Sequence, residues 1–189
     1  MNFRRLQIRD IILCEPEIYS DSRGYFTELY RHDKLNKFLG YEIDFCQVNE
    51  SKSNFGVLRG LHYQLPPFSQ TKLVGVVCGK ILDVVVDLRK FSKTFGQHLA
   101  VELSDKKKQH LLIPKGFAHG FIVLSKEAIV TYQSDCYYQP DFERGIAYDD
   151  RFLGINWRLK PTDIILSEKD KFLPLFNNSE HFELKDFHE

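Results

Sequence analysis

Val74-Gly75-Val76-Val77-Cys78-Gly79-Lys80-Ile81-Leu82-Asp83-Val84-Val85-Val86-Asp87-Leu88 decides the fold class of this chain. Val74–Cys78 is a β-branched apolar run, Gly79-Lys80 is a turn, and a second run then alternates strictly. Leu82, Val84, Val86 and Leu88 face one way, and Ile81, Asp83, Val85 and Asp87 the other. A side-chain period of two is the signature of a strand. Outward from these two strands the same pattern predicts strands at 98–103, 110–113, 120–124 and 128–133, each bounded by turn residues. Strands this short and frequent stack as a sandwich or close as a barrel, and a jelly roll is the expected architecture. Helix is scarce. One is predicted over 33–39, with Leu35, Phe38 and Leu39 on one face and Gly40 as its stop. A second is expected to start near Ser167, where Ser167-Glu168-Lys169-Asp170 has the form of a capping box.

A chain of 189 residues is read as one domain, 1–189, with a segment from Pro161 onward wrapping its surface. Sixteen Phe and nine Tyr against a single Met favour a rigid β core over a helical bundle. Acidic and basic residues balance at 26 each, so no global field recruits nucleic acid or an anionic membrane. The basic run Lys106-Lys107-Lys108 is a solvated tip beside a Ser104-Asp105 turn. The N-terminus lacks the apolar core of a signal peptide, and no run reaches the roughly 18 apolar residues of a membrane span. Cys14, Cys46, Cys78 and Cys136 are singly spaced, which reads as reduced thiols in a cytoplasmic protein.

Two stretches carry the chemistry. Arg59-Gly60-Leu61-His62-Tyr63-Gln64 and Ile113-Pro114-Lys115-Gly116-Phe117-Ala118-His119-Gly120 each put a histidine beside glycine in an apolar, strand-rich context. The second contains Pro-x-Gly-x-x-His, which resembles the second motif of metal-binding cupins and makes a cupin-like jelly roll the expected fold. The first cupin motif is broken, because His-x-His has become His62-Tyr63-Gln64. Two imidazoles and an amide make a poor divalent-metal site, so the expected pocket holds no metal and its histidines act as acids, bases or donors. Strict alternation places Arg59 and His62 on opposite faces, so if both serve one site, Gly60 marks a bulge.

These motifs, together with their spacing over roughly residues 10–175, resemble the dTDP-4-dehydrorhamnose 3,5-epimerase family. The resemblance implies a cofactor-independent enzyme that inverts C3 and C5 of dTDP-4-dehydro-6-deoxyglucose, acting as a homodimer with exchanged N-terminal strands. Relatives that invert a single carbon, a cupin-like sugar-binding module and a metal-dependent cupin are the alternatives. The Arg-Gly-Leu-His-Tyr-Gln match makes His62 the general base, although a lone strand histidine is more often a satisfied core or rim residue. Asp170, taken from the residues alone, reads more readily as a helix cap. The pattern Leu166-Ser167-Glu168-Lys169-Asp170 implies instead that it orients His62, with Lys169 as a substrate contact. Tyr132 becomes the acid on the opposite side of the sugar, and Lys72 sits near the developing oxyanion. His119 and Asp83 form a second pair beside it.

The remaining binding residues follow from the same resemblance. Arg59 and Arg23 are the cations for the diphosphate, Arg23 lying in Asp21-Ser22-Arg23-Gly24-Tyr25-Phe26-Thr27-Glu28, which also supplies Glu28. Gln47-Val48-Asn49 contributes two side chains and, at Val48, only backbone. Glu143 is a further contact, and Tyr138 a stacking platform for the base.

Overall fold

A computed structural model describes residues 1–187; residues 188 and 189, the end of the expected domain span, lie outside the described residues. The chain folds as two antiparallel sheets packed face to face. In chain order the strands are β1 (Asn2–Arg5), β2 (Ile12–Glu15), β3 (Ile18–Asp21), β4 (Gly24–Thr27), β5 (Gln47–Asn54), β6 (Leu58–Gln64) and β7 (Lys72–Cys78). They continue with β8 (Lys80–Asp87), β9 (His98–Ser104), β10 (His110–Ile113), β11 (Phe117–Val123), β12 (Glu127–Ser134) and β13 (Glu143–Gly145). One sheet runs β1-β2-β10-β7-β12-β5, the other β13-β6-β11-β8-β9, and β3-β4 is a separate hairpin. The two main sheets share no strand, so the cupin-like jelly roll is an open sandwich rather than a closed barrel.

The turn between β7 and β8 crosses from one sheet to the other, and the alternation of β8 divides the interior as predicted. Ile81 and Val85 pack in the core between the sheets with Val74, Val76, Leu111 and Val130. Leu82, Val84, Val86 and Leu88 pack on the other side with Leu58, Leu61, Trp157 and two phenylalanines from the C-terminal segment. The strands predicted from 98 to 133 are present within three residues of their expected ends. The N-terminal strands and β5 escape the period-two reading. β3–β4 is exposed on both faces, and β5, Gln-Val-Asn-Glu-Ser-Lys-Ser-Asn, is a polar edge strand whose pattern alternates in burial but not in hydrophobicity.

Helix α1 spans His32–Leu39 and ends at Gly40 in the left-handed conformation, as its sequence required. The helix expected at Ser167 does not form. Ser167 Oγ accepts the Asp170 N–H at 3.2 Å, half of the capping box, but only a 3-10 turn at Asp170–Phe172 follows. Pro174 supplies no N–H and holds Leu173 extended, leaving room for a single turn. Among the described residues no helix is long and apolar enough to cross a membrane.

The segment from Pro161 does more than wrap the surface. Ile165 bridges Val57 and Phe182 bridges Arg89, both in parallel. Phe176 and Phe182 are 2% and 1% exposed, so this strap completes the second core. Truncating a buried aromatic of this size removes contacts that the surroundings refill only in part. Phe182→Ala is therefore expected to destabilise the fold by about 3–5 kcal/mol, measured by urea denaturation with an unchanged m-value.

Candidate active site

The cleft begins with a break in pairing. Between β6 and β11 the register runs His62↔His119 and then Arg59↔Phe121, so Gly60 and Leu61 together oppose Gly120. This is the bulge that the motif demanded. Gly60 has φ +125°, and a Cβ there would lie 2.5 Å from Gly120 Cα, so the two glycines allow the backbones to meet. The extra residue turns Arg59 and His62 towards the same space. Both line a cleft of about 350 Å³ with Lys72, His119, Phe121 and Tyr132, walled on one side by Ile165, Leu166 and Lys169 of the strap.

Two imidazole–carboxylate pairs stand side by side on this sheet. His62 Nε2 lies 2.6 Å from Asp170 Oδ1, and His119 Nε2 2.9 Å from Asp83 Oδ2. Asp170 is 5% exposed. Burial alone would raise its pKa, but hydrogen bonds from His62, Ser167 and the Gly60 N–H outweigh this and hold the carboxyl below the ordinary aspartate value. An ionised Asp170 keeps the proton on Nε2. The His62 Nδ1 lone pair then has no hydrogen-bond partner among the described residues. Asp83 is fully buried and reaches the cleft only through His119.

The facing sheet contributes an ammonium and a phenol. Tyr132 on β12 pairs with Val74 of β7 and Asn49 of β5, and Lys72 begins β7. Lys72 Nζ sits 5.8 Å from the Tyr132 ring centroid. Burial pulls the Lys72 pKa from 10.5 to about 8, against the charges of Glu143 and Asp83, which favour the ammonium. Burial also raises the Tyr132 phenol, which keeps it protonated at neutral pH.

At the mouth, the Tyr138 hydroxyl donates to Glu143 at 2.7 Å, and Lys169 forms an ion pair with the same carboxylate. Burial would push Glu143 up, but these two hydrogen bonds and the Lys169 charge hold it below the ordinary value. Gln47 Nε2 donates to Asn49, and its Oε1 accepts the Tyr138 N–H. Val48 points away, 69% exposed, which fits a position that offers only backbone. Arg59 Nε donates to Ser53 Oγ at 3.0 Å.

Of the expected residues, Asp83, Gln47, Asn49, Tyr138 and Glu143 stand behind or beside the cleft without lining it, and Arg23 and Glu28 are not joined to it. Arg23 sits at the tip of the β3–β4 hairpin with its side chain 87% exposed and paired to Asp21. Glu28 follows that hairpin and binds Arg31 and Lys34. Neither lines the cleft, because the hairpin belongs to neither main sheet. Several cleft residues were missed by the sequence reading, among them Ser51 and Phe121. Ser51 lies on the polar edge strand and Phe121 in the apolar run after His119, and neither carries a motif.

The residues do not fit a divalent metal. Gln64, at the place of a cupin ligand, donates its amide to the Phe68 and Tyr137 carbonyls and accepts the Gln139 N–H, so none of it faces the imidazoles. Among the described residues no three His, Cys, Asp or Glu side chains converge closely enough to hold an ion.

Comparison with known proteins gives one consistent family. The family described as dTDP-4-dehydrorhamnose 3,5-epimerase matches residues 5–178. The dTDP-4-dehydrorhamnose 3,5-epimerase of Shigella flexneri is 43% identical over 182 residues, covering 96% of this chain and 99% of that protein. The crystal structure of the enzyme of that name from Elizabethkingia anophelis superposes with a TM-score of 0.92 at 41% identity, covering 96% of this chain and 99% of the other. A Legionella pneumophila dTDP-6-deoxy-D-glucose-3,5-epimerase, solved in complex with dTDP-4-keto-L-rhamnose, superposes with a TM-score of 0.90 at 45% identity, covering 94% and 93%.

The Lys72 environment has a measurable sign. Its folded pKa lies below the unfolded value, so between about pH 8 and 10.5 the unfolded chain holds a proton that the folded chain has released. Stability is expected to rise with pH across that window. Lys72→Met should be more stable than the parent at pH 7 by roughly 1–3 kcal/mol and lose that advantage by about pH 10.5, read from denaturation curves at each pH.

Proposed function

The chain belongs to the dTDP-4-dehydrorhamnose 3,5-epimerase family, and from that premise we propose that it inverts C3 and C5 of dTDP-4-dehydro-6-deoxy-D-glucose to give dTDP-4-dehydro-L-rhamnose, by proton transfer through an enolate and without a cofactor. The observation that carries this reading is the placement of base and acid on opposite walls. His62, held by Asp170 of the strap, lies on one sheet, and Tyr132 and Lys72 lie on the other.

The chemistry follows from that placement. The C4 ketone acidifies the hydrogens on both neighbouring carbons. His62 removes one of them through Nδ1, and Asp170 stabilises the imidazolium that forms. Negative charge develops on the C4 oxygen, where Lys72 supplies an ammonium matched to share a proton at neutral pH, and His119, held by Asp83, supplies a second donor. Tyr132 returns a proton from the far wall, so the carbon is inverted rather than restored. A rotation of the sugar presents the second carbon to the same groups. Positioned proton transfer is worth about 10² to 10⁴ in rate, and the fixed enolate donors and orientation supply the rest.

Arg59, Gln47 and Asn49 hold the diphosphate end, Tyr138 stacks on the base, and Glu143 and Lys169 bind at the mouth. The protein works in the cytoplasm as one jelly-roll domain per chain and as a homodimer. The β3–β4 hairpin, with Tyr19, Tyr25 and Phe26 exposed beside Arg23, carries Arg23 and Glu28 to the cleft of a second copy.

Incubation with dTDP-4-dehydro-6-deoxyglucose in D₂O, without added metal or cofactor, is expected to label both C3 and C5. Label at one carbon only would replace the double epimerase with a single-site one, and absence of label would sink the enzymatic reading. His62→Ala should reduce exchange by at least about 10²-fold while retaining dTDP binding, measured by mass spectrometry and calorimetry. Tyr132→Phe should slow inversion more than label exchange; equal losses would remove Tyr132 from the acid role.

A further inference from the structure

Four polar side chains alternate along the inner face of β5: Gln47, Asn49, Ser51 and Ser53. Three of them have partners. Gln47 donates to Asn49, and Ser53 accepts from Arg59. Ser51 Oγ is buried and has no hydrogen-bond partner among the described residues, yet Ser51 lines the same cleft as Arg59, Lys72 and Tyr132.

An unpaired buried hydroxyl is unfavourable, and an alanine facing Val130 across the ladder would avoid the penalty. A ligand that supplies the missing partner removes that penalty only when it is bound. The neighbourhood selects the chemistry of that ligand. Arg59 crosses from β6 to this strand, held by Ser53 Oγ at 3.0 Å and by the Lys52 carbonyl at 3.5 Å, and its Nη1 has no partner among the described residues. A fixed guanidinium with unused donors, one inward step along the strand from a free hydroxyl, matches the oxygens of a phosphoryl group.

We propose that Ser51 is a further substrate-binding residue, its Oγ donating a hydrogen bond to the phosphoryl group that bears the sugar, beside Arg59. This rests on the nucleotide-sugar reading above. The hydroxyl sits on a strand hydrogen-bonded to β12, the strand of Tyr132, so seating the phosphoryl there also sets how deeply the sugar reaches towards His62.

The test is calorimetric titration of dTDP into the parent chain and into Ser51→Ala, Ser51→Cys and Ser69→Ala, with a thermal melt of each. Ser69 is the control, a buried unpaired hydroxyl that does not line the cleft. Ser51→Ala and Ser51→Cys should each weaken dTDP binding about 10- to 100-fold with no fall in melting temperature, while Ser69→Ala binds as the parent does. Cysteine keeps the shape but donates poorly, so parental affinity in Ser51→Cys would overturn the hydrogen bond. Parental affinity in Ser51→Ala, even with slower sugar turnover, would overturn the phosphoryl assignment. A lowered melting temperature in both Ser51 variants would make the hydroxyl structural and overturn it as well. Failure of the parent to bind dTDP would instead remove the nucleotide-sugar reading itself.

Discussion

The near-contact of Gly60 with Gly120 is the constraint on which the cleft depends. Two strands approach so closely there that a Cβ on Gly60 would lie within 2.5 Å of backbone, and the positive φ of Gly60 is open to few side chains. The extra residue admitted at that point breaks the alternation of β6. Without it, Arg59 and His62 would stand on opposite faces of the sheet, the cation in one layer and the imidazole in the other. With it, the guanidinium and the imidazole line one space.

Electrostatics then separates the two walls. Each histidine on the β6–β11 sheet is tied to its own carboxylate, and hydrogen bonding keeps Asp170 ionised against the pull of burial. On the facing wall burial acts without a close partner, and both groups there shift towards neutrality, Lys72 downward and Tyr132 upward. A hydrogen-bonded imidazole–carboxylate pair thus faces a protonated phenol and a weakened ammonium across the cleft. The Asp83 carboxylate lies beneath, with one oxygen on His119 and the other unpaired.

The strap joins stability to the site. Phe176 and Phe182 anchor it in the second core, Ile165 ties it to Val57 beside the bulge, and between these points it delivers Asp170 and Lys169. His62 and its partner are 108 residues apart in the chain, so their 2.6 Å contact exists only while the strap is seated. Local loosening of the strap would therefore release the orienting carboxylate before the sandwich itself unfolds.

The sequence by itself determined the β class, the consecutive strands β7 and β8 with the two-sided alternation of β8, and the helix stop at Gly40, and it singled out His62, His119, Lys72 and Tyr132 as site candidates. The fold features are legible because they follow from local periods and from glycine's special conformations, and the four site candidates because the motifs around them resemble those of a known family. The need for a bulge at Gly60 was legible too, as a conflict between alternation and shared function. Only the tertiary structure decided that Asp170 turns to His62 rather than capping a helix, because Pro174 stops the helix and burial selects the carboxylate's partner. It also decided that the strap fills a core, that β5 is a strand despite its polar sequence, and that Arg23 and Glu28 stand apart from the cleft of their own chain. Edge strands, hairpins without a buried face and contacts across a hundred residues leave no periodic trace, since what defines them is a neighbour supplied by the fold.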